Sequence, residues 1–488
     1  MTLTDWLLQT TGAVANFIWG LPMVLLLLGT GLLLTFMTGF VQIRNFGKAF
    51  RLLVQGAFGK EPSGSSSEDG DISPFQALMT ALSATVGNGN IAGVATAIAT
   101  GGPGAAFWMW ITAVFGMATK YAEAVLALHF RLRMPDGTMA GGPMYYCKYG
   151  IKNKHLGAFL GAFFAVCGGI ATLFGTGNMF QSQQIALAAQ QQFGIEPWIM
   201  GIAISVLVGA VILGGIKRIG AVAEKLVPSM IIFYFGGALL VILANITEVP
   251  AALGLIIVSA FSPQAAFGAA IGISVREAIR FGAARGMLSN ESGLGSAAIA
   301  HGAARTKYPV MQGSIAMMGT FIDTIVVCTL TALTITVSGA YRESIFMVGP
   351  QGLGDSNLTV RAFNLGMPGF IGDWGGIIVV VASLVFGFTT LIGWSYYGQI
   401  CFEYLFGIKI VKPYRVVFVI LLFAGTLFTG PSAPIVKNVG DICNAAMAFP
   451  NLIALILLSG IVAKVTKDSY AQNSLEVHEV TPIEGVGH

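Results

Sequence analysis

Charge is what this sequence has least of. Lys, Arg, Asp and Glu together make up 10% of its 488 residues, against about 25% in soluble domains. A water-soluble protein of this length cannot cover its surface with so few charges; one whose outer surface meets lipid has no need to. Cysteine and histidine are equally sparse, at five each. Cys147, Cys167, Cys328, Cys401 and Cys443 share no paired spacing and four lie in apolar runs, so they read as small packing residues. His129, His155, His301, His478 and His488 form no cluster with ligand spacing, which argues against a zinc or iron centre. No GxxxxGK[ST] run is present for a nucleotide-driven pump, and no loop offers the roughly 100 residues of a separate soluble module. The modest net charge of +4 gives no reason to expect nucleic acid as a partner.

Long apolar runs are what the chain has instead. Apolar types reach 55%, and Gly, at 64 residues, is about twice the soluble average, which suits close helix–helix approach in lipid. A bilayer span needs about 20 mainly apolar residues. Eleven segments qualify, near 17–40, 76–99, 104–130, 157–187, 198–214, 227–245, 264–282, 312–339, 375–401, 414–430 and 443–463. The weakest is 264–282, which carries Arg276, Glu277 and Arg280 near its end. Basic residues follow the first run rather than precede it, the reverse of a cleaved signal peptide, so 17–40 reads as a retained span. The expected fold is an all-α polytopic membrane protein of about eleven transmembrane helices.

With the N-terminus outside and the C-terminus cytoplasmic, 22 of the 26 Lys and Arg fall on the inner side, including Arg276, Arg280, Arg285, Arg305 and Lys307. Only Arg342, Arg361 and Lys437 fall outside, and Lys120 lies within a span. Such asymmetry is what the positive-inside rule predicts for a multi-pass protein of the inner or plasma membrane. Residues 1–74 then form an N-terminal span and cytoplasmic loop, 75–464 a core, and 465–488 a polar tail.

Segment 76–99 contains Gly87-Asn88-Gly89-Asn90 in its middle. Two Gly and two Asn are poor helix formers, and unwound backbone at membrane depth is tolerated where it lines a protein-enclosed cavity. A broken helix leaves free N–H groups that suit a carboxylate and free carbonyls that suit Na⁺. The alternative is that the glycines only let helices pack closely, which leaves the two amides unexplained. With the first span set aside, ten remain. The halves 75–245 and 264–464 then start from opposite sides, the pattern of inverted-repeat transporters. This pairs the interrupted 76–99 with 264–282, interrupted at Gly268 and Gly272.

Gly101–Gly116 (GGPGAAFWMWITAVFG) closely resembles the signature of the alanine or glycine:cation symporters, also called sodium:alanine symporters. GNGNIAGVATAI (Gly87–Ile98) and SNESGLGSAAIAH (Ser289–His301) resemble that family too. The likeness covers 17–463. It implies a LeuT-type fold with a 5+5 inverted repeat, and symport of alanine or glycine with Na⁺, or with H⁺ in some members. It implies no cofactor beyond the coupling ion and no obligate protein partner. By the same resemblance the solute carboxylate sits at Gly87, Asn88, Gly89 and Asn90. A sodium site lies between the carbonyls of Ser83 and Val86 and the hydroxyls of Thr389 and Thr390. Na⁺ takes hard oxygen ligands of this kind, although Thr hydroxyls in membrane helices also bond to their own preceding carbonyls. Trp394, one turn past Thr390, limits the side chain that fits.

The segment 157–187 carries Phe174, Asn178 and Gln181, with the two amides sharing a face. They line the solute pocket or bond between helices, contacts worth about 0.6–2 kcal/mol each. A charge at the bilayer centre costs at least about 2.5–3.5 kcal/mol, so intramembrane ionisable residues need partners. Lys120 and Glu123 are expected to pair with each other, and Glu291 with an Arg of its loop. Asp323 has no evident local partner and is a candidate for proton coupling. An enzyme is disfavoured, since no catalytic constellation appears. A channel normally uses several subunits or a selectivity loop, and this chain has one two-halved unit. Another small solute on the same fold is the remaining alternative.

Overall fold

A computed structural model describes residues 3–60, 70–175, 177–262, 274–346, 355–369, 374–428 and 433–484. Among them, eight helices are long and apolar enough to cross a membrane: Thr4–Met37, Gly104–His129, Lys154–Gln190, Gly215–Ala244, Pro309–Val337, Gly375–Phe406, Ile408–Leu427 and Ile435–Gln472. These coincide with eight of the eleven expected spans. The chain is an all-α polytopic membrane protein. Pro197–Ile212 is a shorter apolar helix at the expected 198–214.

The expected span 76–99 is two half-helices. The first, Pro74–Thr85, starts in a capping box of Ser73 and Gln76 with Pro at its head. Val86 leaves the helical region at ψ 96°, and a wide π turn, Gly89–Gly93, leads into the second half, Val94–Gly101. π turns of this kind gather at functional sites.

The expected partner break lies elsewhere. Gly268 and Gly272 fall outside the described residues, and the second broken helix is Val275–Asn290 followed by Ser296–Gly302. Its break, Glu291–Gly295, holds three left-handed residues: Glu291 at φ 55°, Gly293 at 95° and Gly295 at 83°. Glycine is the residue that reaches such angles without strain. An apolar helix at Val249–Phe261, absent from the sequence reading, precedes it and receives a hydrogen bond from Trp108 Nε1 on the Ala260 carbonyl, 3.2 Å.

The two broken helices run antiparallel. At one end of the bundle Asp71 N donates to Ala303 O at 2.9 Å and Arg305 N to Ile72 O at 2.7 Å. At the other end Gly101 lies against Ala278. Arg276, Arg280 and Arg285 therefore belong to the Gly101 end, opposite Arg305, and not with it as the loop count had them. The long helix Gly104–His129 backs the second broken helix. Glycines set the approach: Gly282 lies on the Ala105 carbonyl, and Gly116 meets Ser292.

The tail is more ordered than a polar extension. The last helix continues to Ala471, Leu475 and Val477 are buried, and Ile483–Glu484 joins a small sheet. This strand, β3, pairs in parallel with β1 (Leu132–Arg133), which pairs antiparallel with β2 (Met139–Ala140). Val480 N donates to Lys307 O at 3.0 Å, and the Lys307 ammonium meets Glu479 at 2.9 Å. Arg131, buried beneath, donates to the Ala304 and Thr306 carbonyls at 2.7 and 2.9 Å. The tail thus fastens the Ile72–Ala304 end.

Candidate functional site

The breaks of the two helices meet. A Cβ added to Gly89 would lie 3.7 Å from Ser289 Cα, and one added to Gly87 would lie 2.7 Å from Thr390 Oγ1. Around this crossing is a cavity of about 280 Å³ whose walls include Gly87, Asn88, Gly89, Gln181, Thr390 and Trp394, all named from the sequence. It stands at the small end of the range for ligand sites, about 300–1,000 Å³. Two polar atoms of its wall residues, Asn88 Oδ1 and Gln181 Nε2, are buried and have no hydrogen-bond partner among the described residues. Such groups are costly unless a ligand or water completes them.

Three expected pocket residues take other positions. Asn90 turns away from the cavity: its Oδ1 accepts from Gly87 N at 2.9 Å, and its Nδ2 donates to Asp323 Oδ1 at 2.7 Å. It holds the break from behind. Asn178 donates to Phe418 O at 2.9 Å and ties two helices together. Phe174 is not among the lining residues, and Phe180 takes the apolar wall. The reason for both is that Lys154–Phe174 ends at Gly175 and a new helix starts at Met179, so side chains past the interruption no longer follow one helical face.

Asp323 does have partners, though none adjacent in the apolar run except Thr324. Its Oδ2 accepts from Ser289 Oγ at 3.0 Å and Thr324 Oγ1 at 2.8 Å, while Oδ1 holds Asn90. One carboxylate therefore joins both broken helices. It lies in a π turn, Phe321–Cys328, which aims these groups inward.

Lys120 and Glu123 do not form the expected ion pair. Glu123 Oε1 accepts instead from Gly293 N at 2.9 Å, Gly295 N at 3.1 Å and Asn451 Nδ2 at 2.7 Å. The Lys120 ammonium, deeply buried, has no hydrogen bond among the described residues. The backbone donors of the break, at the N-terminal end of Ser296–Gly302, draw the carboxylate away. Glu291 is likewise not paired with a loop Arg. It forms part of the cavity wall and accepts from Ser296 Oγ at 2.5 Å.

Thr389 and Thr390 both donate to the Phe386 carbonyl at 2.9 Å, and Thr389 also touches Met230 Sδ at 3.4 Å. Thr389 faces the helix Gly215–Ala244, whereas Thr390 stands against Gly87 of the first broken helix. Gly393 lies directly against Ser83 there, and Ser83 Oγ itself donates to Thr80 O at 2.7 Å. Val86, one residue before Gly87, ends the half-helix. Phe386 was not picked out from the sequence, and neither were Ser289, Glu291 and Leu294 of the cavity wall. Their signal was present: SNESGLGS mixes Gly with short polar residues just as GNGN does.

A small polar-lined cavity at the crossing of two antiparallel broken helices, inside a polytopic bundle, defines a secondary transporter rather than an enzyme. The model of the sodium:alanine symporter family matches residues 4–481, and the chain belongs to that family. It is 48% identical over 454 residues to the sodium/alanine symporter AgcS of Methanococcus maripaludis, covering 93% of this chain and 95% of that one. An uncharacterized transporter of Haemophilus influenzae is 47% identical over 458 residues, covering 94% and 95%. The amino-acid carrier protein AlsT of Bacillus subtilis is 35% identical over 456 residues, covering 93% and 90%. The fold is similar to that of the manganese transporter of Eremococcus coleocola, solved in complex with an aromatic bis-isothiourea substituted compound. That likeness has TM-score 0.50 at 13% identity and covers 83% of this chain and 87% of that one. Family and relatives make the chain a sodium-coupled amino-acid symporter.

Proposed function

We propose that this symporter carries a small neutral amino acid, alanine or glycine, into the cell together with Na⁺ by alternating access. The observation that carries the reading is the cavity of about 280 Å³ at Gly87–Gly89, where the break of the first helix shares its wall with Gln181, Thr390 and Trp394. The solute carboxylate docks at the backbone N–H groups of the break, where the π turn Gly89–Gly93 begins. Trp394, in the wall with Thr390, is the side chain that limits the size of the solute.

Sodium is held by the Thr389 and Thr390 hydroxyls with the Phe386, Ser83 and Val86 carbonyls. Both hydroxyls donate to the Phe386 carbonyl of their own helix, the back-bonding usual for Thr in membrane helices, and Na⁺ takes the place of these bonds among hard oxygens without a fixed charge. Because Thr390 also lines the cavity beside Gly87, bound Na⁺ and bound solute steady the same break, and each raises the affinity for the other. The N-terminus lies outside and the C-terminus in the cytoplasm, so the tail-fastened Ile72–Ala304 end is the cytoplasmic gate.

Proton coupling is the second reading, favoured by Asp323, a buried carboxylate that touches both broken helices. Radiolabelled alanine and glycine uptake into proteoliposomes, with Na⁺ and pH gradients imposed separately, tests both. Uptake driven by Na⁺ alone supports the first reading; uptake driven only by a pH gradient replaces it, and no uptake of either solute overturns the substrate.

A further inference from the structure

We propose that Glu291 recognises the ammonium group of the solute, so that the cavity selects zwitterions rather than carboxylates in general. The inference rests on the amino-acid reading of the same cavity.

Glu291 ends the helix Val275–Asn290 in the left-handed conformation, at φ 55°. That position favours Gly or Asn, and the same break uses Gly at 293 and 295. A residue kept in a disfavoured conformation at a cavity wall points to a role for its side chain. Glu291 is buried and its side chain forms part of the wall. Oε2 accepts from Ser296 Oγ, a neutral donor, and Trp394 lines the same cavity. Among the described residues no basic side chain stands within salt-bridge distance of it. The charged groups that act on it at longer range, Lys120 and Asp323, are opposite in sign, and Arg285, Lys437 and Asp441 line other parts of the same cavity wall.

A carboxylate inside a membrane bundle needs a cationic partner, and removing water from it without one is costly. A solute ammonium supplies that charge on binding. The cavity then presents two poles to an α-amino acid. The half-helix N-terminus at Gly89 faces the carboxylate, and Glu291 faces the ammonium. Ser289 stands two residues before Glu291 and abuts Gly89, so both poles belong to the wall of one cavity. Ser296 acts as a positioning residue that aims the Glu291 carboxylate.

The test is calorimetric titration of the purified full chain in detergent with Na⁺ present, using alanine and its deaminated analogue propionate. The wild type is expected to bind alanine at least a hundredfold more tightly than propionate, and Glu291→Gln to lower alanine affinity at least tenfold and so narrow that ratio. Size-exclusion chromatography checks that the variant is folded. Should it fail to fold, Glu291→Asp carries the test: it keeps the charge and is expected to keep the preference for alanine with weaker affinity. Alanine affinity within twofold of wild type in a folded Glu291→Gln overturns the assignment, as does equal binding of alanine and propionate by the wild type or by Glu291→Asp. A wild type that binds neither alanine nor glycine overturns the amino-acid reading itself, a different result from binding without dependence on Glu291.

Discussion

Asn90 and Asp323 are joined twice: the Asn90 amide donates to the Asp323 carboxylate at 2.7 Å and to its backbone carbonyl at 3.1 Å. Because the same carboxylate holds Ser289, movement of either broken helix is felt by the other. Sites that must change together need a shared element of this kind.

Asn90→Ala removes that joint and leaves Gly87 N without its acceptor. Hydrogen bonds to charged groups are worth about 1.5–3 kcal/mol, so alanine affinity is expected to fall at least tenfold, with a lower melting temperature. Titration calorimetry and thermal unfolding in detergent read both, and wild-type values in each would show that the joint is dispensable.

Gly87 and Gly89 are expected to differ. A Cβ at Gly87 meets Thr390 Oγ1 at 2.7 Å, whereas one at Gly89 finds ordinary contact at 3.7 Å. Gly87→Ala should therefore reduce Na⁺-driven uptake strongly and Gly89→Ala mildly, while Leu at either position abolishes solute binding. Equal effects of the two Ala variants would contradict the geometry.

Loss of one sodium ligand is expected to raise the Na⁺ concentration for half-maximal uptake. Thr389→Ala and Thr390→Ala each remove a hydroxyl from the pair on Phe386 O, and a shift of roughly tenfold corresponds to about 1.4 kcal/mol. Thr→Ser keeps the oxygen and should keep most of the Na⁺ response. Unchanged Na⁺ dependence in both Ala variants moves the coupling site to Asp323.

Trp394→Ala opens the cavity wall and is expected to admit larger side chains with no change in the Na⁺ requirement. Competition of labelled alanine uptake by serine, valine and leucine measures it; an unaltered order of competitors would remove Trp394 from the size filter.

Topology is tested by single cysteines in a background freed of the five native ones. Lys152→Cys and Arg305→Cys should label from the cytoplasmic side, and Arg342→Cys and Arg276→Cys from outside. Arg276 labelling together with Arg305 would reverse the assignment of the second broken helix.

Helices that cross the bilayer were legible because lipid demands one strong, continuous signal: eight apolar runs coincide with eight long helices. The first break was legible because GNGN interrupts an apolar run on both sides. The second was not, because Arg276, Arg280 and Arg285 make Val275–Asn290 look like a loop; buried against Gly104–His129 on its glycine face, it needs far less apolar surface of its own. Local spacing also failed for charges. Lys120 and Glu123 are well placed to pair within one helix, but backbone donors from a distant break compete for the carboxylate, and their position depends on tertiary structure. Asn178 and Asn90 show the same limit, since an amide at membrane depth signals a bond without saying whether solute or protein supplies it.

The parallel pairing of β3 with β1 also has a bearing on how the molecule is made. The Leu132–Ala140 hairpin leaves the ribosome early, while its third strand, Ile483–Glu484, follows the membrane helices found among the described residues. During synthesis the partly inserted bundle therefore has its Ile72–Ala304 end unfastened, and the final strand closes it only once the preceding helices are in place. A chain cut before Leu475 keeps the membrane helices described above but lacks the strand that fastens the Ile72–Ala304 end.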